Sequence, residues 1–221
     1  SKRLPSKNTL DLCGKPLFIW TIDEALKSKY IDKIIVSTDD KNIINLSKNY
    51  SGVEAPFVRP DFLSTDSSTS TDVILHALEY YKSIGIYFDY VLLLQPTSPL
   101  RKSIDIDFSI NELSKEVKSV VSVCETDHSP LWSNILPADK SMKNFLSKDI
   151  LNLRSQDLPK YYRLNGAIYI SEVEQFIKEK GFIGAKTKAY IMPRERSVDI
   201  DTKTDFELCK IILNENYKNN T

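Results

Sequence analysis

The chain carries no net charge: Lys and Arg together number 30, as do Asp and Glu. No overall field draws it to nucleic acid or to a membrane surface, although a local basic cluster can still bind phosphate. Cysteine is sparse. Cys13, Cys124 and Cys209 are odd in number, far apart, and form no CxxC or Cys/His metal spacing. That excludes a disulfide framework and a structural zinc site, and leaves reduced thiols in a cytoplasmic protein. Of the two histidines, His76 sits on the apolar side of a helical pattern, as packed histidines do, and His128 is a weak candidate for chemistry. No apolar run is long enough for a membrane span, and no signal peptide is visible. Without a secretion signal, the N-x-S matches at Asn45 and Asn49 carry no weight. Internal repeats are absent, and 221 residues suit one domain over 1–221.

What is present is a strand–helix alternation. "KPLFIWTIDEALKS" has helical spacing with Pro16 in its first turn. "DKIIVSTDD" reads as a strand, residues 40–49 as a helix, and "VEAPFVRP" as a strand ending at Arg59-Pro60. "TDVILHALEYYKSIG" reads as a helix capped by Thr71 or Ser70. A strand at 89–95, a helix capped by Ser103, the strand "VKSVVSVCE", and then "GAIYIS", "EVEQFIKEK", "KAYIMP" and a last helix over 203–216 complete the series. The expected class is α/β, a Rossmann-like, mostly parallel sheet with helices on both faces. Residues 127–164 break the rhythm, with prolines, aromatics and no period. A stretch of this length is expected to be functional or covered, here an excursion that partly closes over the site and partly packs on a second subunit. The opening "SKRLPSKN" is a basic loop with no strand before it, so a strand is expected to precede Ser1.

Three stretches carry candidate chemistry. "VLLLQPTSPLR" (91–101) joins an apolar strand, expected to be covered on both faces, to a loop that Pro96 and Pro99 hold rigid. Ligands of α/β sheets sit past such strand ends, so Gln95 is a candidate contact. The alternative is a proline-rich turn with Arg101 in solvent. "SKRLPSKN" places Lys2, Arg3 and Lys7 around exposed amides, followed by Asn8. Such a loop suits a triphosphate, though it lacks the glycines and GK[ST] order of a Walker A loop, and a solvated basic terminus is the alternative. "SVDIDTKTDF" separates Asp199 and Asp201 by one residue, so in an extended segment both face one hard cation. Alternatively these acids, with Thr202 and Asp205, cap the last helix. Only twenty residues follow Asp201, too few for the domain that a DxDxT-type phosphatase needs. Arg59 lies near Asp66 and the run "STDSSTST". Arg154 and Arg163 are forks for carboxylate or phosphate, and "RLNGAIY" places Arg163 and Asn165 at a strand mouth.

Together, "SKRLPSKN", "GKPL", "VSTDD", Arg59-Pro60, "LLLQPTSPLR", "SVVSV", "NGAIYI" and "DIDTKTDF" resemble, in order and over essentially the whole chain, the CMP-sialic acid synthetases, including enzymes for legionaminic acid. The resemblance implies the nucleotide-diphospho-sugar transferase type of α/β fold. It also implies transfer of CMP from CTP to the anomeric hydroxyl of a nine-carbon α-keto sugar acid, with release of pyrophosphate. By the same resemblance Lys2, Arg3 and Lys7 line the triphosphate, with Lys7 and Asp201 catalytic. Asn8, Arg59 and Ser70 hold cytidine, and Gln95, Arg163 and Arg154 hold the sugar acid. Asp199 and Asp201 hold Mg²⁺, with Mn²⁺ able to substitute, and the 127–164 excursion crosses to a partner in a homodimer. The alternatives are a cytidylyltransferase for the eight-carbon acid Kdo and a non-catalytic nucleotide-sugar-binding homologue.

Overall fold

Helix α1 (Leu17–Leu26) is buried nearly all round. Leu17, Phe18, Ile19, Trp20, Thr21, Ile22, Glu24 and Ala25 are all withdrawn from solvent, as expected of a central rather than a surface helix. The computed structural model describes residues 4–65 and 67–219. Before α1 lies a hairpin of β1 (Asp11–Leu12) and β2 (Lys15–Pro16). Trp20 fastens the two by donating Nε1–H to the Leu12 carbonyl at 2.9 Å.

Strands β3 (Ile34–Ile35) and β4 (Val53–Glu54) pair in parallel around α2 (Lys41–Ser47), whose N-terminus Asp40 caps by accepting the Asn42 and Ile43 amides. The strand expected through Pro60 is shorter, and only a Thr38–Val58 bridge continues it. Helix α3 (Ser70–Ser83) begins in a capping box made by Thr69 and Asp72, so the cap is Thr69 and not Ser70 or Thr71. Helix α4 (Ser103–Asn111) follows β5 (Tyr90–Leu93). Its cap position is Lys102, with Asp105 accepting the Lys102 amide, so Ser103 is the first helical residue and not the cap.

The main sheet has the order β5–β7–β6–β8, with β6 at Ser119–Glu125, β7 at Tyr162–Glu172 and β8 at Thr187–Ile191. Strands β5, β6 and β8 run the same way. The long β7 lies between β5 and β6 and is antiparallel to both. The sheet is therefore α/β but mixed. β5 is at its edge, and both of its faces are covered as expected: Val91 and Leu93 pack on the cluster of Ile74, Val121, Phe176 and Phe182, and Leu92 and Leu94 on that of Ile106, Ala167, Ile168 and Met192. Helices α5 (Val173–Glu179) and α6 (Lys203–Asn219) complete the fold.

Leu12, Leu17, Trp20, Leu100, Ile200, Phe206, Cys209 and Leu213 form one apolar cluster. Phe206, Cys209 and Leu213 are one stripe of α6, and burial of each large apolar side chain is worth about 1.5–3 kcal/mol. The cluster joins the hairpin, α1, the loop after β5 and the acidic segment before α6, so it is the floor on which the candidate site rests. The excursion is shorter than expected, because β7 begins at Tyr162; two single 3₁₀ turns, Pro130–Trp132 and Ser155–Asp157, lie within it.

Candidate active site

The loop after β5 is stapled to its surroundings. The Thr97 carbonyl accepts the Ile200 amide at 2.8 Å, Ser98 Oγ donates to the Asn165 carbonyl at 3.3 Å, and the Ser98 amide closes a turn on the Gln95 carbonyl at 3.2 Å. With Pro96 and Pro99 fixing φ, the half-buried Gln95 side chain has a rigid base. Arg101 is not in solvent. It is 1 % exposed, and Nη1 donates to the Ala167 carbonyl at 2.8 Å. Burial pulls its pKa down to about 10, with Glu24 and Asp105 opposing the shift, so it is still a cation at neutral pH.

Opposite this loop, β7 bulges. Val121 pairs with Tyr169 and Val123 with Leu164, so residues 165–168 lie against Ser122 alone. Asn165 anchors the bulge, accepting Ser122 Oγ–H at 2.6 Å and donating Nδ2–H to Ser197 Oγ at 3.0 Å. Gly166 has φ +74°, and a Cβ there would lie 2.7 Å from Gln95 Oε1, 3.5 Å from Ser98 Oγ and 3.6 Å from Asp199 Oδ2. A side chain there is strained by the backbone and must displace the Gln95 amide. Such bulges re-aim side chains beside active sites. Gly166 was missed in the sequence, although a glycine inside a strand pattern signals a bulge.

The same point brings in the acidic segment. Asp199 Oδ1 is buried with no hydrogen-bond partner. Burial, then the charge of Asp199, pushes the Tyr169 phenol up. Asp201 is half exposed, and Lys7 Nζ reaches it at 3.2 Å while donating to the Ile200 carbonyl at 2.7 Å. Thr202 and Asp205 cap α6 reciprocally, and Asp205 Oδ2 also accepts the Asp201 amide at 3.0 Å. The capping alternative therefore belongs to Thr202 and Asp205 and not to the side chains of Asp199 and Asp201.

Further buried polar atoms have no partner among the described residues. Asn8 Oδ1, Arg59 Nε and Ser37 Oγ are buried and unsatisfied, each at a cost of about 1–3 kcal/mol unless a ligand or water completes it. Arg59 Nη2 donates to the Ser37 carbonyl and the Arg59 amide to that of Thr38. Desolvation lowers the Arg59 pKa, with Asp39 opposing. Ser37 was not singled out in the sequence. Ser70 is exposed in the first turn of α3.

Lys2, Arg3 and Asp66 lie outside the described residues. Arg163 is exposed but reaches the acidic segment, donating to the Ser197 carbonyl at 3.3 Å; it lies within β7 rather than at a strand mouth. Arg154 is exposed and paired locally with Asp157 at 2.9 Å, and no described contact ties it to Gln95 or Asp199. His128 is exposed. His76 packs edge-on against Phe57, as a packed histidine should.

The orphaned Asp199 oxygen, the Asp201 carboxylate and Gln95 Oε1 are all oxygen donors, the set suited to a hard cation such as Mg²⁺. Among the described residues no three His, Cys, Asp or Glu side chains form a metal-holding group. Such an ion would fit here with bound phosphate oxygens and water completing its shell.

A lysine at Asp201, buried polar atoms without partners and an amide on a rigid loop, all on an α/β framework, are groups that suit a phosphorylated ligand. The comparisons narrow the class: the chain belongs to the cytidylyltransferase family, whose model matches residues 1–219. It is 37% identical to the CMP-N,N'-diacetyllegionaminic acid synthase of Legionella pneumophila, over 98% of this chain and 93% of that protein. It is 33% identical to a pseudaminic acid cytidylyltransferase of Campylobacter jejuni, over 99% and 94%. In fold it is similar to a CMP:2-keto-3-deoxy-manno-octonic acid synthetase solved in complex with CTP. The TM-score is 0.66 at 16% identity, covering 98% of this chain and 95% of that one. No described helix is long and apolar enough to cross a membrane.

Proposed function

We propose that the protein transfers CMP from CTP to the anomeric hydroxyl of a nine-carbon α-keto sugar acid of the legionaminic, pseudaminic or sialic type, releasing pyrophosphate. The observation that carries this is the convergence of Gln95 Oε1, Ser98 Oγ and Asp199 Oδ2 on Gly166, in a chain alike over nearly its full length to two enzymes named for such acids.

The acceptor hydroxyl attacks the α-phosphorus in line, and negative charge builds on the non-bridging and leaving oxygens. Such reactions are accelerated chiefly by positioning and electrostatics. Lys7, with Lys2 and Arg3, neutralises the triphosphate. Asn8 Oδ1, Arg59 Nε and Ser37 Oγ, together with Ser70, are satisfied by the nucleoside. Gln95 bonds the sugar acid, and Arg163 supplies a guanidinium for its carboxylate or for phosphate. Arg154 has less support, being held by Asp157. Asp199 and Asp201 would hold Mg²⁺ or Mn²⁺, which when bound offsets charge on the α-phosphate and on the leaving pyrophosphate.

The excursion is read as the contact of a homodimer, since Ile135 is 90% exposed and Met142 and Leu151 are also open. Use of CTP fits a cytoplasmic enzyme, as do the free Cys13, Cys124 and Cys209. The test is pyrophosphate release with CTP and Mg²⁺ across legionaminic, pseudaminic and N-acetylneuraminic acids and Kdo. Release with a nine-carbon acid, abolished by chelator, is expected. Release with Kdo alone moves the assignment to the eight-carbon class, and CTP binding with no release from any acid favours a non-catalytic homologue. Sedimentation at micromolar concentration tests the dimer, and a monomer would overturn it.

A further inference from the structure

The largest fully buried side chain among the described residues is a cation, Arg101. Its neighbouring acids are engaged elsewhere. Glu24 accepts the Ser103 amide and Lys27 Nζ, each at 2.8 Å, and Asp105 is held by Arg196 at 2.7 and 2.9 Å. The Arg101 fork goes instead to main chain and one hydroxyl. Nη1 donates to the carbonyls of Ala167 at 2.8 Å and Gln95 at 3.4 Å, and Nη2 donates to Thr21 Oγ1 at 2.8 Å, while Nε has no partner. One planar group thus ties α1 to the loop that bears Gln95 and to the bulge that bears Gly166. A buried charge without a paired carboxylate is expensive and is a poor way to add stability. Only a rigid fork spans acceptors on three elements, which a lysine ammonium does not do.

We propose that Arg101 is a positioning residue: it fixes the main chain at Gln95 and Ala167 so that the Gln95 amide meets the acceptor substrate beside Gly166, with Thr21 setting the angle of the fork. This rests on the site being that of a sugar-acid cytidylyltransferase. It assigns acceptor alignment to a residue that touches no substrate.

The experiment compares Arg101→Lys, Thr21→Val and Thr21→Ser with wild type. Pyrophosphate release is measured against acid at saturating CTP and against CTP at saturating acid, alongside the thermal midpoint. Arg101→Lys is expected to lose on the order of a hundredfold in kcat/KM for the acid, the scale of a misplaced reacting group. Thr21→Val should lose roughly tenfold, with the KM for CTP held within about twofold. Thr21→Ser, which keeps the hydroxyl, should restore the wild-type value. If Arg101→Lys does not fold, the Thr21 pair decides. A rise in the KM for CTP equal to that for the acid in Thr21→Val, no loss at all, or no rescue by Thr21→Ser would overturn the proposal while the enzyme assignment stands. A wild type silent with every acid would overturn that assignment and the proposal with it.

Discussion

Lys7 donates to the Asp201 carboxylate at 3.2 Å across 194 positions of sequence. This contact joins the cationic loop to the acidic segment. With a side chain only 13% exposed, Lys7 is held in place rather than free in solvent. Lys7→Met keeps much of the volume and removes the charge. It should lower kcat/KM for CTP on the order of a hundredfold, the usual cost of one electrostatic donor at a reacting phosphate. The circular dichroism spectrum should not change. Turnover within a few-fold of wild type would remove Lys7 from the site.

The buried Asp199 Oδ1 has no hydrogen-bond partner, and an unpartnered buried carboxylate oxygen is a cost to the fold. Asp199→Asn should therefore leave the thermal midpoint equal or higher while abolishing turnover, the pattern of a residue kept for function. Asp201→Ala should lower the rate by orders of magnitude with the fold intact. Mn²⁺ titration in the presence of CTP checks both: unchanged affinity in either variant would break the metal assignment.

Gly166→Ala meets two obstacles, a φ of +74° and a Cβ 2.7 Å from Gln95 Oε1. The left-handed backbone costs roughly 1–2 kcal/mol for an L-residue. The clash displaces Gln95, so use of the sugar acid should fall further than the use of CTP. Thermal denaturation and kinetics with each substrate varied test this. A variant as active and as stable as wild type would mean that Gln95 is not constrained by the bulge.

The pH dependence of stability has a component at Glu24. Burial raises its pKa, but hydrogen bonds from Lys27 and the Ser103 amide, with the charges of Lys27 and Lys102, outweigh burial and leave it lowered. The unfolded chain then binds the proton more readily, so this stabilisation is present above the ordinary glutamate value of about 4.3 and is lost as pH falls through the lower folded value. Glu24→Gln should flatten acid denaturation in that window and leave the midpoint near neutral pH changed mainly by a constant. An unchanged slope below pH 4 would refute it.

Much of the framework was legible before the chain was seen folded. Helical spacing located α1, α3 and α6, and the prolines around Gln95 marked a rigid loop at a strand end. The one-residue spacing of Asp199 and Asp201 was also visible. The α3 cap, Thr69, lies one residue before Ser70 and two before Thr71, and the α4 cap position, Lys102, lies one before Ser103, since geometry sets the exact helix start.

Local sequence thus determined the alternation of strands and helices, the chemistry of the loops and the family to which the chain belongs. These depend on periodicity, turn residues and short spacings, all read within a few residues. Only the tertiary structure decided that β7 runs against its neighbours, that Gly166 is the gap where Gln95 meets Asp199, and that Arg101 lies in the interior. An arginine beside a proline turn is exposed or buried according to what covers it. Here the cover and the acceptors come from Thr21 and Ala167, 80 and 66 positions away, and burial at that range is a cooperative property of packing that no local pattern encodes.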